Sequence, residues 1–160
     1  FADAEDIYGK SKALGEVNSP NTLTIRCSMI GRELYNFTEL FEWLKKNKNK
    51  KIEGYSKVFY SGITTVRMGK ILNQILKKNL NLSGIYNISS TPISKFDLLV
   101  KLSNAFNLNV EVKQNINNKS NKVLISEKFT EITGIYPPNW DDLIPEFKED
   151  CEIYKSLYKN

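Results

Sequence analysis

Tyr8 and Lys12 are the residues of this sequence whose types and spacing could do chemistry. Four positions apart on a helix, they share one face and sit about one turn from each other. A phenol beside an ammonium can give a proton to a carbonyl oxygen or take one from an alcohol. A free phenol titrates near ~10, whereas acid–base work is best nearer the operating pH, so a phenol in that role gains from a lower value. A nearby cation moves a phenol in that direction, and Lys12 supplies one. The spacing alone is unspecific. With 8 Tyr and 20 Lys among 160 residues, about one Tyr-x-x-x-Lys match is expected by chance, and one occurs. The competing reading is an exposed Tyr and Lys on an ordinary surface helix.

The elements that must position this pair can be followed along the chain. Gly9, Ser11, Ala13 and Gly15 are small enough to let the helix lie close to a cofactor or a sheet. It ends near Asn18-Ser19-Pro20, because proline cannot continue it and disfavours helix in the residue before. Leu23, Ile25 and Cys27 alternate with Thr22, Thr24 and Arg26, the period of a strand that runs into Ser28. Asn36 with Glu39 reads as a helix start. Phe37, Leu40, Phe41 and Leu44 follow at helical spacing, as a core stripe or a sugar platform, until the Lys/Asn run at 45–51 stops the helix. Two short extended pieces, Lys51 to Glu53 and Lys57 to Tyr60, flank Gly54-Tyr55.

Thr64 or Thr65 is placed to cap a helix whose apolar face is Val66, Met68, Ile71, Leu72, Ile75 and Leu76. Gly84 to Ile88 is the next strand, and Ser94 with Asp97 caps a helix from Lys95 to Phe106. Asn109 to Lys113 reads as a strand. Gln114 to Lys122, with one apolar residue in nine, reads as a mobile loop. Ser126 caps a short helix that ends at Gly134. Pro137-Pro138-Asn139-Trp140-Asp141 is a rigid turn into a terminal helix begun by Asp141, with Pro145 in its first turn. Trp140 either packs that turn or lines a pocket entrance.

Four stretches stand in a telling order: Tyr8-Gly9-x-Ser11-Lys12 with Gly15-Glu16; Ile25-Arg26-x-Ser28-x-x-Gly31; Gly84-Ile85-Tyr86-Asn87-Ile88-Ser89; and Ile93-Ser94-Lys95-Phe96. Together they resemble the latter half of the extended short-chain dehydrogenase/reductase family of nucleotide-sugar enzymes, in its dTDP-4-dehydrorhamnose reductase branch. The resemblance implies an α/β fold, the C-terminal part of a Rossmann-type nucleotide-sugar reductase with a small α/β substrate-binding domain. Residues 1–30 would be a remnant of the cofactor-binding domain and 31–160 the substrate-binding region, with 64–89 returning to the cofactor-binding sheet. Family members begin with a strand, a Gly-rich turn and a helix that bind the dinucleotide pyrophosphate. No G-x-G-x-x-G occurs in this chain, and the Ser/Thr that completes the family's catalytic set lies upstream of the tyrosine. The 160 residues therefore read as the C-terminal portion of a longer enzyme.

The activity implied is hydride transfer between NADPH or NADH and C4 of a nucleotide-linked keto-sugar. By resemblance, Tyr8 and Lys12 are catalytic, and both reach the cofactor, with Lys12 bonding the nicotinamide ribose. Ser28, Met29 and Ile30 line the nicotinamide. Arg32 is the candidate for a substrate phosphate, since its planar fork suits phosphate oxygens; an ion pair with Glu33 or Glu39 is the alternative. Arg26 is read as structural before catalytic. Gly62 and Thr65 belong to a Ser61–Thr65 turn that aligns with a family motif near the substrate pocket. That motif's usual proline and its preceding acidic-amide pair are missing here. An epimerase or 4,6-dehydratase of the same fold, or a non-catalytic sugar-nucleotide binding module, are the other readings.

Composition narrows the remaining classes. Hydrophobic content of 41% and charged content of 26% are those of a soluble globular protein. A net charge of +5 comes from 20 Lys but only 3 Arg, a poor signature for nucleic acid, where forked contacts favour Arg. The positive field would still favour an anionic sugar nucleotide. The absence of His rules out a histidine triad within these residues, and no metal-ligand spacing is present. Two cysteines make no disulfide framework, and no apolar run approaches the ~18–20 residues that span a bilayer. A cytoplasmic, reduced compartment and no membrane partner are the expectation. The broad apolar faces leave room for a homo-oligomer.

Overall fold

A computed structural model describes residues 6–78 and 81–157. The first helix, α1, spans Ile7–Leu14 and is capped by Asp6, whose carboxylate accepts the Gly9 N–H at 2.6 Å. It stops at Gly15, short of the proline expected to end it. Strand β1 (Leu23–Arg26) follows, then β2 (Met29–Ile30). Helix α2 (Leu40–Lys46) starts three residues later than the Asn36/Glu39 pair suggests, because Asn36 and Phe37 sit at φ 65° and 52°, in the left-handed region that no helix can use. Phe41 and Leu44 of its stripe are fully buried, which decides the core reading for Phe41.

Strand β3 (Lys51–Tyr60) is continuous where two pieces were expected, and its irregularity falls between Tyr55 and Lys57. A short β4 (Ile63–Thr64) leads into α3 (Thr65–Lys77), capped by the Thr64 hydroxyl, which accepts the Arg67 N–H at 3.3 Å. Met68, Ile71 and Ile75 of α3 are buried, while Leu72 and Leu76 are exposed. β5 (Gly84–Asn87) and β6 (Ile93–Ser94) come next. The expected Ser94–Asp97 cap opens α4 (Lys95–Ala105), with Ser94 accepting the Asp97 N–H at 3.0 Å.

Residues 111–122, most of them read from sequence as a mobile loop, form β7 (Glu111–Lys122), parallel to β3. An edge strand needs backbone pairing, not apolar side chains. Here Asn115 donates to Glu53 at 2.7 Å across the pair, and the outward Lys and Asn residues discourage further pairing. Helix α5 (Glu127–Thr133) ends at Gly134 with φ 69°. Ser126 precedes it without capping it; its oxygen instead accepts the Ser89 hydroxyl at 3.1 Å. Helix α6 (Trp140–Ile153) is capped by Asn139, which places Pro145 in its second turn, past the first-turn position where proline is tolerated most easily.

The strands form three small sheets. β1 pairs with β5 in parallel, Leu23 opposite Gly84 and Arg26 opposite Asn87. β2 pairs with β4 in parallel, and β3 lies between antiparallel β6 and parallel β7. The main core sits where α2, α4 and α6 converge. Phe41, Phe106 and Phe147 meet there with ring centroids 4.5 to 5.5 Å apart, in tilted and edge-on contacts. Trp140 is buried and its indole N–H donates to the Thr91 carbonyl at 3.0 Å, so it packs the turn. The expected mixed α/β class holds, with the strands of each sheet drawn from distant parts of the chain.

Candidate functional site

Tyr8 and Lys12 share a face of α1, with the Lys12 ammonium 5.3 Å from the centre of the Tyr8 ring. Both are exposed, Tyr8 at 71%. The helix buries none of its residues, and none of its side chains bonds to another element among the described residues. It is held by the chain that leaves it. Val17 exchanges two hydrogen bonds with the Thr24 hydroxyl, at 2.7 and 3.3 Å. The Arg26 guanidinium makes a forked pair with the Glu16 carboxylate, at 2.6 and 2.7 Å. That hydrogen bond is the main reason the Glu16 carboxyl lies below its ordinary value, against a smaller opposing effect of burial. Residues 16–19 thus run back along β1, and Arg26 has the structural role expected of it.

Just past β1, the Ser28 carbonyl accepts the Ile63 N–H at 2.8 Å, and β2 locks onto β4 with Met29 opposite Ile63 and Ile30 opposite Thr64. Met29 is exposed and Ile30 buried. This pairing brings Ser28, Met29, Ile30, Gly62 and Thr65 into one neighbourhood at the C-terminal end of the β1–β5 pair. Gly31 is needed there: a Cβ on it would stand 2.5 Å from the Thr65 hydroxyl. Ligands of open α/β sheets bind beyond the C-terminal strand ends. An open cavity of about 460 Å³, lined by Asn18, Pro20, Ser83, Gly84 and Lys128 among others, lies at the opposite end, where the strands begin. On that ground we do not assign it the chemistry.

Arg32 departs from expectation. Its side chain is 6% exposed, and its Nε is bonded to Glu42, itself 3% exposed, in place of Glu33 or Glu39. Glu42 also accepts from the Glu33 N–H and the Lys45 ammonium, each at 3.4 Å. A guanidinium so engaged does not present itself to solvent, so Arg32 as a phosphate contact loses its geometric support.

Gly62 is buried as well, and what covers it is Tyr60. A Cβ at Gly62 would lie 1.8 Å from the Tyr60 hydroxyl oxygen. Tyr60 is 8% exposed, with Lys95 stacked on its ring at 4.1 Å and the Trp140 ring at 6.1 Å. Its hydroxyl has no hydrogen-bond partner among the described residues, yet no fully enclosed side-chain polar atom there lacks one. The oxygen therefore opens to the surface. Burial above all, then the proximity of Cys27 and Glu39, holds this phenol well above its ordinary value. Burial also lowers Lys95, and Lys122 adds to that. Sequence reasoning missed Tyr60; the signal was its place two residues before a glycine in the motif that lacks its acidic-amide pair.

No family model matches the chain, and no curated protein matches it. Solved structures do. A dTDP-4-dehydrorhamnose reductase from Bacillus anthracis str. Ames, in complex with NADP, superposes with a TM-score of 0.66 at 18% identity, over 89% of this chain and 52% of that one. A dTDP-4-dehydrorhamnose reductase from Clostridium acetobutylicum ATCC 824 gives 0.67 at 16% identity, over 90% and 53%. The UDP-N-acetylglucosamine 4-epimerase from Bacillus cereus gives 0.62 at 18%, over 91% and 51%. This chain spans about half the length of each. It has the Rossmann-like α/β fold seen in dTDP-4-dehydrorhamnose reductases and in nucleotide-sugar dehydratases and epimerases.

Proposed function

We propose that the chain is the C-terminal, substrate-binding portion of an NAD(P)-dependent nucleotide-sugar reductase that reduces a 4-keto sugar. The observation that carries this reading is the Tyr8–Lys12 pair: two exposed side chains on one helix face, ammonium 5.3 Å from ring centre. The fold supports it, and so does the gathering of Ser28, Met29 and Ile30 at the strand ends.

The residues present fit one end of a nicotinamide cofactor. Tyr8 and Lys12 are free to meet a ribose and a carbonyl, and Gly9 and Ser11 beside them are small. When bound, the cofactor supplies a hydride. Tyr8 would hold and deliver the proton at its hydroxyl oxygen, and Lys12 would orient the ribose. The segment Ser28–Ile30 would form a wall of largely backbone groups. A pyrophosphate cradle would have to come from an upstream segment, so the 160 residues alone should not consume NADPH.

The test uses the full-length coding product with a dTDP-4-keto-6-deoxysugar and NADPH, followed by absorbance. Tyr8→Phe should lower kcat by about 10²–10⁴, the usual weight of a positioned acid. Lys12→Met should weaken cofactor binding as well as rate. Unchanged kinetics in Tyr8→Phe would point to a non-catalytic binding module. Product analysis separates the reductase from an epimerase or 4,6-dehydratase, which returns its cofactor unchanged.

A further inference from the structure

We infer that Tyr60 is a sugar-contacting residue, its hydroxyl exchanging a hydrogen bond with a neutral hydroxyl of the bound sugar beside Gly62. The assignment rests on the nucleotide-sugar reading above and names the side chain that would select the sugar.

A tyrosine this buried ordinarily spends its hydroxyl on a protein partner. Tyr60 does not: it has none among the described residues, and its oxygen reaches the surface. Packing does not explain the hydroxyl, since a phenylalanine would fill the same space against Trp140 and under Lys95. The ring is nonetheless fixed. Lys95 caps one face, and β3 holds the Tyr60 backbone between Ile93 of β6 and Lys122 of β7. A rigid ring with a free polar tip is a preorganised contact, which loses little entropy on binding.

The location suits the sugar. Gly62, which the hydroxyl overlies, directly precedes Ile63, whose N–H bonds Ser28. Cys27 stands immediately before Ser28, the residue whose carbonyl accepts that N–H. A phenol can both donate to and accept from a neutral sugar hydroxyl. Because burial keeps the phenol protonated, it works as a hydrogen-bonding group and not as a base. Proton transfer stays with Tyr8.

Isothermal titration of the full-length coding product tests this, with dTDP-glucose and UDP-N-acetylglucosamine as probes and dTDP and UDP as sugar-free controls. Tyr60→Phe should weaken the better sugar-nucleotide probe about tenfold, the weight of one well-made hydrogen bond. It should leave dTDP and UDP unaffected and Tm unchanged, because no protein partner is lost. Equal affinity for the probe in both proteins would overturn the Tyr60 assignment and leave the nucleotide-sugar reading standing. So would an equal loss on the sugar-free controls, or a clear fall in Tm, which would mark a nucleotide contact or a purely structural role. A wild-type protein that binds none of the four would overturn both.

Discussion

The Arg32–Glu42 pair offers the sharpest test of the packing argument, through Glu42→Gln. The substitution keeps the volume and removes the charge, so a guanidinium that is 6% exposed loses the carboxylate bonded to its Nε. Removing one partner of a buried pair costs about 3–5 kcal/mol, because the remaining charge loses the attraction that offset its removal from water. Against a total stability of roughly 5–15 kcal/mol that is a large share. At roughly 2–4 °C per kcal/mol for a chain of this size, Tm should fall by about 6–20 °C. Replacing both partners, Arg32→Met with Glu42→Leu, should recover most of the loss, since an apolar pair carries no desolvation penalty. Thermal and urea melts at low and high salt provide the measurement, the buried pair being little screened. The exposed Lys51–Glu111 pair, 2.9 Å apart, is the control: Lys51→Gln should leave Tm unchanged. A loss below about 1 kcal/mol in Glu42→Gln, or a double variant no better than the single, would refute the reasoning.

Two further predictions concern the candidate site. Gly62→Ala puts a methyl 1.8 Å from the Tyr60 oxygen and 2.0 Å from its ring carbon, so it should destabilise by about 1–3 kcal/mol as overpacking does. In a Tyr60→Leu background the same change should cost much less, a coupling that a double-mutant cycle of urea melts will read. For Glu16, whose carboxyl is held below its ordinary value by Arg26, the stabilisation is complete above the usual carboxylate range (~4) and is lost as pH falls through the lowered value. Glu16→Gln should therefore lower stability at neutral pH and flatten its decline below about pH 5, measured by melts across pH.

Legibility in the sequence followed locality. The Ser94–Asp97 box, the Gly134 stop and the Met68–Ile71–Ile75 stripe were readable because each depends on residues within one or two turns. β7 was not, since its polar composition says nothing about the backbone it pairs with, 60 residues earlier at Lys51 opposite Glu111. Likewise Arg32 had two acidic residues near it in sequence and chose a third, Glu42, because α2 carries that carboxylate into the buried face. At the site, the Tyr8–Lys12 proximity follows from helical spacing alone. The role of Gly62 does not, for it depends on a ring folding back from two residues upstream.

That difference bears on how the site can work. An eight-residue helix does not hold itself in water, and α1 gains nothing from buried side chains. Acid–base chemistry by Tyr8, as proposed above, would need its hydroxyl placed to within about 0.5 Å. Among the described residues, the ties that set the helix against the strands are Val17 on Thr24 and Glu16 on Arg26. Arg26 is in turn fixed by the Ile88 N–H on its carbonyl, 2.9 Å away, so the tie reaches β5 as well as β1. The carboxylate that anchors Tyr8 is thus a titrating one. Protonating Glu16 should loosen the helix and the placement of the phenol together, so under the proposed function the acid limb of stability and that of catalysis should share one cause.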